Sequence, residues 1–437
     1  MNTFTRSVLS LAAVAIVTPG VLAQGTLRSL PNDVASAPRV PFDLSVRLAE
    51  IRDANKGVPA IAAVMVDRYG IAARGVAGVR RTGGTAPVTL DDKWHLGSCT
   101  KAMTGTLSGL LVADGTLRWD STIDEVFNPL RDEKAKITNN WRLVTLRQLT
   151  TCTANAPYDL GEYGGRPLWA NLWEKARHGV SPPEQRAYLF NELVRSNIGV
   201  PSTSFQYANA SVALAGHMAE TAAKTPYEEL IQTRLFGPLG ITTAGFGAPG
   251  TATADGEPED QPWGHTSAGK PVRPGVNADN PASITPAGTA HMTIEDWGRF
   301  ARLHLIGAEI SAPAPDDGSP LAEPKWDPRD TLGLGPADFA VLHAPSSGRS
   351  DYAAGWIVTN RPAWAKGDQP GATGRCLTHV GSNTMWTASI WIAPEIDRAL
   401  LAVVNTGANA GGEAREQALQ AMIALDRQWR GVSALKP

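Results

Sequence analysis

Cysteine is scarce in this 437-residue chain: Cys99, Cys152 and Cys376 are the three, and they are far apart. An odd, scattered set excludes a disulfide scaffold, although an oxidising compartment would permit one bridge and leave one thiol free. Cys-x-x-Cys, a Cys/His cluster and His-Glu-x-x-His are all missing, so no metal site is expected. A charge of one sign is missing too. Forty basic against 42 acidic side chains leave a formal charge of -2, which excludes the basic footprint of a nucleic-acid binder and an acidic tail. No apolar run reaches the roughly 20 residues of a membrane-spanning helix. No repeat of fixed period occurs. What is left is an ordinary globular composition, 43% hydrophobic and 19% charged, long enough for two or three domains or for one large domain with an insertion.

The first 23 residues read as an export signal. Arg6 is followed by an apolar run from Val8 to Val17, a breaker at Pro19-Gly20, and small residues before Gln24 that suit cleavage after Ala23. The run is short for a membrane anchor, and no cysteine follows it to carry a lipid. A periplasmic or secreted protein, without a stable membrane span after cleavage, is the expectation. Residues 24–41 are Pro-rich and aperiodic and read as a leader.

From residue 42 the chain is organised. Residues 42–57 have helical apolar spacing and stop at Lys56-Gly57. Residues 59–80 read as a hairpin around Asp67-Arg68-Tyr69-Gly70. A helical run follows Ser98 to Val112 and stops at Asp114-Gly115; helical pieces and loops cover 120–206. Residues 210–241 read as two helices parted near Thr225-Pro226, and 247–282 as loop. Thr293 is an N-cap candidate for the next helix. Residues 311–350, rich in Pro, Asp and Gly, read as a surface excursion. Residues 377–394 and 398–407 read as two adjacent strands, and 413–430 as a closing helix. Strands at both ends with helices between predict an α+β fold: one antiparallel sheet flanked by the N- and C-terminal helices, with an inserted, mostly helical lobe. The boundaries expected for this single unit, 42–430, are an α/β part at 42–97 and 283–430 and a lobe at 98–282.

Ser-x-x-Lys occurs three times, at Ser98–Lys101, Ser267–Lys270 and Ser433–Lys436, so the spacing alone means little. Context separates them. The second match sits among Gly and Pro, the third in the terminal tail, and only the first opens an apolar helix. There residues i and i+3 share a face, so Lys101 can reach the Ser98 hydroxyl. A desolvated lysine at a helix N-terminus loses proton affinity and can act as a base. The alternative is that Ser98 merely caps the helix. Tyr207-Ala208-Asn209 is the one Tyr-x-Asn in the chain. A phenol near a lysine should ionise more easily and exchange a proton with a serine; Asn209 can orient Lys101 and a substrate carbonyl. The alternative is a buried tyrosine beside a helix-capping asparagine. The third element, His379-Val380-Gly381-Ser382, lies on an expected strand. Gly381 would leave room for a substrate, His379 would line the same edge, and the Ser382 amide could pair with that of Ser98 around an oxyanion. A structural strand histidine is the alternative for His379.

Taken in order, Ser98-Cys99-Thr100-Lys101, Tyr207-Ala208-Asn209 and His379-Val380-Gly381 resemble the serine β-lactamase and penicillin-binding-protein superfamily, most closely its class C-type branch with D-aminopeptidases and family VIII carboxylesterases. The segments "WHLGSCTKAMTGTLSGLLVADGTLRWDSTI", "LVTLRQLT", "LFGPLGI" and "MTIEDWGRFARLHL" extend the resemblance over roughly residues 42–430. It implies a serine hydrolase with Ser98 as nucleophile, Lys101 as base, Tyr207 as proton shuttle, Asn209 positioning substrate, and the Ser98 and Ser382 amides as oxyanion hole, with no cofactor.

Two departures bear on substrate. β-Lactamases usually carry Lys-Thr-Gly where this chain has His379-Val380-Gly381; the hydroxyl is lost and an imidazole replaces an ammonium. After "TLRQL" the family often reads Leu-Thr-His and then Ser/Ala-Gly-Leu, where this chain has Thr150-Thr151-Cys152-Thr153-Ala154-Asn155. An esterase or amidase of small esters, amides or D-amino-acid peptides is therefore expected ahead of a true β-lactamase or DD-peptidase. A catalytically weak cell-wall sensor is the reading from outside the enzymes.

Overall fold

The computed structural model describes residues 40–128, 137–201, 204–251, 259–311, 328–346, 351–365 and 372–431. The expected signal peptide and nearly all of the leader lie outside them, as does the third Ser-x-x-Lys match.

Strand β1 (Phe42–Asp43) leads into helix α1 (Ser45–Ala54), whose Leu48 and Ile51 are buried. Strands β2 (Ala60–Asp67) and β3 (Gly70–Gly78) form the expected hairpin. Its turn closes as the Asp67 carboxylate accepts from the Tyr69 amide at 2.9 Å, with Gly70 at φ 134. Then come β4 (Lys93–His95), α2 (Thr100–Ala113), α3 (Asn209–Ala223), β5 (Gly245–Phe246), β6 (Gly264–His265), β7 (Pro271–Val272) and β8 (Ala290–Thr293). The chain continues through α4 (Ile294–Ile310), α5 (Pro336–Leu342), β9 (Ile357–Asn360), β10 (Arg375–Ser382), β11 (Thr387–Ala393), β12 (Arg398–Val404) and α6 (Asn409–Trp429). Thr293 caps α4 as expected, its hydroxyl accepting from the Asp296 amide.

Seven strands form one sheet in the order β1-β3-β2-β12-β11-β10-β9. Every neighbouring pair is antiparallel except β1 with β3. All eight residues of β2 are buried because both of its faces are covered. Ala60, Ala62, Val64 and Val66 join the core shared with α2 and α4, whereas Ile61, Ala63 and Met65 join a second core with α1 and α6. The period-two alternation of a strand sorts one sequence into two cores. The fold is α+β: a mainly antiparallel sheet, terminal helices on one face, and helices from the middle of the chain on the other. No helix among the described residues is long and apolar enough to cross a membrane.

Three expectations need correction. Residues 377–394 form not one strand but β10 and β11, joined at 383–386, where Thr384 takes φ 73. The stretch 247–282 is not all loop: β6 and β7 pair around a turn containing the second Ser-x-x-Lys match. The described part of 311–350 is not a surface excursion, because α5 buries Phe339 and Leu342 against the main core; Pro336 begins that helix, where its missing amide costs nothing. The remainder of 311–350 lies outside the described residues.

Candidate active site

Ser98 lies in a single 3-10 turn, Gly97–Cys99, immediately before α2. That turn is pinned on several sides. Leu96 donates its amide to Ala290 O at 2.9 Å, the Thr100 hydroxyl donates to Gly97 O at 2.7 Å, and Ala290 N donates back to the Thr100 hydroxyl at 3.1 Å. Ser98 is half-buried and makes no capping bond to α2. Its hydroxyl instead accepts from Lys101 Nζ at 3.1 Å. The capping alternative is thereby set aside.

Lys101 is fully buried, and its other two ammonium donors go to Asn209 Oδ1 and Ala287 O, both at 2.7 Å. Burial pulls its pKa from 10.5 to about 7, since an ammonium removed from water is destabilised. The three acceptors therefore hold an amine poised between its charged and neutral forms. Neutral Lys101 keeps two hydrogens, for Asn209 and Ala287, and turns its lone pair toward Ser98. The Ala287 carbonyl had no signal in the sequence: a backbone oxygen looks the same behind every side chain.

Tyr207 packs over Lys101, with Nζ 4.8 Å from the ring centroid. Tyr207 is partly exposed, but desolvation raises its pKa well above the ordinary value, opposed in part by a hydrogen bond with Ser98. The expectation that Lys101 would ease its ionisation is therefore wrong. Desolvation dominates, and Tyr207 is a neutral donor at rest. Asn209 is the first residue of α3 rather than its N-cap, which is Ala208.

The stretch after Leu149, which departs from the family pattern, has a structural role. Gln206 N donates to Cys152 O at 2.9 Å, Cys152 Sγ to Ala208 O at 3.9 Å, and the Ser211 hydroxyl to Leu149 O at 2.8 Å. These contacts bracket Tyr207 and Asn209. Cys152 holds the left-handed φ of 54 to make them. All three thiols are free and buried; Cys99, pushed up to about 12 by burial, donates weakly to His379 O at 3.7 Å.

His379 is buried beside Tyr207, their ring centroids 6.1 Å apart. Its Nδ1 bonds Val380 O at 2.7 Å, which puts the proton on Nδ1 and leaves Nε2 to accept from the Tyr352 hydroxyl at 3.1 Å. Burial and the nearby Lys101 lower its pKa to about 3. This histidine is thus neutral, with both nitrogens engaged, and Tyr352 is a neighbour that the sequence did not single out. Val380 points to the other face and is exposed.

Gly381 has a different purpose from the one expected. A Cβ there would collide with Leu96 O, so the free space is taken by the serine turn and not by substrate. Gly97, at φ 51, is its counterpart: a Cβ there would collide with Ser382 N. The two glycines let β10 lie against the turn backbone to backbone, which brings the Ser382 amide alongside the residue preceding Ser98. Gly355, at φ 82, does the same for the first turn of α2, where a Cβ would strike Lys101 and Ala102. Ser98, Lys101, Tyr207, Asn209, His379, Gly381 and Ser382 thus come from three separate segments and converge.

Comparison with known proteins bears on the family and the fold. A curated β-lactamase of Escherichia coli is 27% identical over 245 residues, 55% of each chain. An unguisins hydrolase of Aspergillus campestris is 23% identical over 52% of this chain and 41% of its own. The chain spans about half the length of the curated relatives it matches. Among solved structures, a D-alanine carboxypeptidase from Burkholderia cenocepacia superposes with TM-score 0.61 at 19% identity, covering 87% of this chain and 97% of that one. A class C β-lactamase from Rhodobacter sphaeroides gives 0.58 at 18% identity, over 87% and 99%. At such identities these two establish the shared fold. The Beta-lactamase family model matches residues 46–424, and with nearly the whole described chain inside that match, this protein belongs to the β-lactamase family.

Proposed function

We propose that this protein is an exported serine hydrolase that works through an acyl-enzyme on Ser98 and prefers uncharged esters, amides or D-amino-acid peptides. The observation that carries the reading is the hydrogen-bonding of Lys101: a buried amine with a pKa of about 7, held against the Ser98 hydroxyl by two fixed acceptors. Ser98 Oγ attacks the acyl carbon as its proton passes to neutral Lys101. The carbonyl oxygen, now negative, is met by the amides of Ser98 and Ser382. When the tetrahedral intermediate collapses, the bond to the leaving group breaks and the departing oxygen or nitrogen takes a proton from Tyr207, which the Lys101 ammonium replaces. Water then attacks the acyl-Ser98 ester, gives its proton to the same Lys101–Tyr207 pair, and releases the acid and the free serine. No step calls for a cofactor.

The third motif supports an uncharged substrate. Where a β-lactamase usually offers an ammonium and a hydroxyl to a carboxylate, this site offers a neutral, doubly engaged His379, and Val380 brings no hydroxyl. The competing reading is a β-lactamase or DD-peptidase, favoured by the activities of similar proteins. Labelling with a fluorophosphonate, wild type against Ser98→Ala, tests the nucleophile: the wild type should be labelled and the variant should not. Turnover of p-nitrophenyl butyrate against nitrocefin tests the preference, and much faster nitrocefin hydrolysis would overturn it. An unlabelled protein that turns over neither substrate would favour a sensor.

A further inference from the structure

Beneath the serine turn lies a buried polar link that the reaction described above does not use. His95, on β4, is fully buried, and its Nε2 meets Asp279 Oδ2 at 2.6 Å. Its Nδ1 is 3.1 Å from the amide of Gly97, which donates to it. Nδ1 must therefore carry a lone pair, and the ring proton sits on Nε2, facing the carboxylate. The other oxygen of Asp279 accepts from Asn383 Nδ2 at 3.0 Å and from the Asn280 amide at 2.7 Å. Asn383, itself buried, also donates to Ala278 O at 3.5 Å and accepts from Met385 N at 3.1 Å. One carboxylate thus has two arms. The first ends at Gly97, one residue before Ser98; the second ends at Asn383, one residue after Ser382.

We infer that Asp279, acting through His95 and Asn383, is a positioning residue that sets the spacing between the Ser98 and Ser382 amides. The inference rests on the reading of those amides as the oxyanion hole. Only a carboxylate can accept on both sides at once. An amide at 279 accepts on one side and presents N–H on the other, so one arm must give way. A hole a few tenths of an ångström too wide binds the substrate carbonyl almost as well but loses the developing oxyanion, which needs donors at hydrogen-bond distance.

The test uses the full-length protein, p-nitrophenyl butyrate and an arylboronic acid, which forms a tetrahedral adduct with an active serine. Asp279→Asn should lower the acylation rate constant and weaken the boronate by a similar factor, about 10–100-fold, with KM changed less than about threefold. Asn383→Ala cuts a single arm and keeps the test open if Asp279→Asn does not fold; about a 3–10-fold loss in both readouts is expected. Acylation and boronate affinity within about twofold of wild type in either variant would overturn the inference. Wild-type protein that forms no adduct at Ser98 would overturn the acyl-enzyme reading itself, which separates the two failures.

Discussion

The chemistry assigned to Ser98 is decided at Lys101, and there by desolvation. Burial lowers the lysine to about 7, against a small opposing pull from Cys152 and Cys99. The base is the neutral amine, so the acylation rate should rise with pH through about 7 and level off above it; a rate that falls between pH 6 and 8 would contradict the role. Asn209→Asp places a carboxylate where the lysine now has a neutral partner at 2.7 Å. An opposite charge favours the ammonium, so the rising limb of the profile should move to higher pH, with lower activity at pH 7. Lys101→Ala and Tyr207→Phe should each reduce acylation by about 10²–10⁴, since both act in one proton-transfer unit; near-normal stopped-flow rates in either would refute the assignment. Ser98, Lys101, Tyr207 and Asn209 were legible in the sequence because each belongs to a short pattern whose neighbours announce a helix start or a strand. The Ala287 carbonyl and Tyr352 were not legible, because their contacts arise from folding alone. Nor was the state of Tyr207: proximity of a lysine is a local inference, whereas burial belongs to the assembled site.

Among the elements, close backbone approach matters more than side-chain packing around the serine. Turn 97–99 and strand β10 touch through Gly97 and Gly381, and the first two turns of α2 touch 354–355 through Gly355 and Gly105. Gly381→Ala should cost on the order of 1–3 kcal/mol of stability through overpacking against Leu96 O, and should lower activity further by moving the Ser382 amide. Thermal unfolding together with ester turnover would read both effects, and an unchanged melting temperature would show that β10 yields without cost. The hairpin β2–β3 and helix α2 were readable because alternation, turn residues and helical spacing are local. The joint between β10 and β11 was missed for the converse reason. "SNTM" carries neither Gly nor Pro, and the left-handed residue there is Thr384, which rarely takes that conformation. Helix α5 was missed because Pro-rich composition spoke for loop while Phe339 and Leu342 are held by tertiary contacts.

On the scale of the molecule, the sheet gives one face to the terminal helices and the other to the helices of the middle of the chain, and the serine turn lies where α2 meets β10. The middle of the chain carries its own ionic anchor. Arg186, fully buried, pairs with Glu220 at 2.6 Å and Glu228 at 2.6 Å, and His217 also contacts Glu220 at 2.6 Å. Burial alone would raise the Glu220 carboxyl, but the hydrogen bonds from His217 and Arg186 hold it down to about 2. A depressed carboxylate contributes stability that is complete above its unfolded pKa of about 4.3 and is lost as pH falls toward 2. Unfolding followed by circular dichroism should therefore show stability decreasing over that window, with Arg186→Leu unfolding more readily even at neutral pH by about 3–5 kcal/mol because buried Glu220 loses its guanidinium partner. A flat response from pH 5 to 2.5 would mean that the cluster adds little. The order of elements and the sheet's antiparallel character were legible at this scale; the convergence of three segments on one serine was legible only through the family resemblance.

The central claim is a covalent acyl-Ser98 intermediate made from an uncharged ester. Rapid-quench intact-mass analysis of the wild-type protein with p-nitrophenyl butyrate, followed by peptide mapping, tests it directly. The account predicts transient butyrylation confined to the peptide carrying Ser98, formed faster as pH rises through about 7 and absent in Ser98→Ala. Ester turnover with no adduct, or an adduct on another residue, would contradict it.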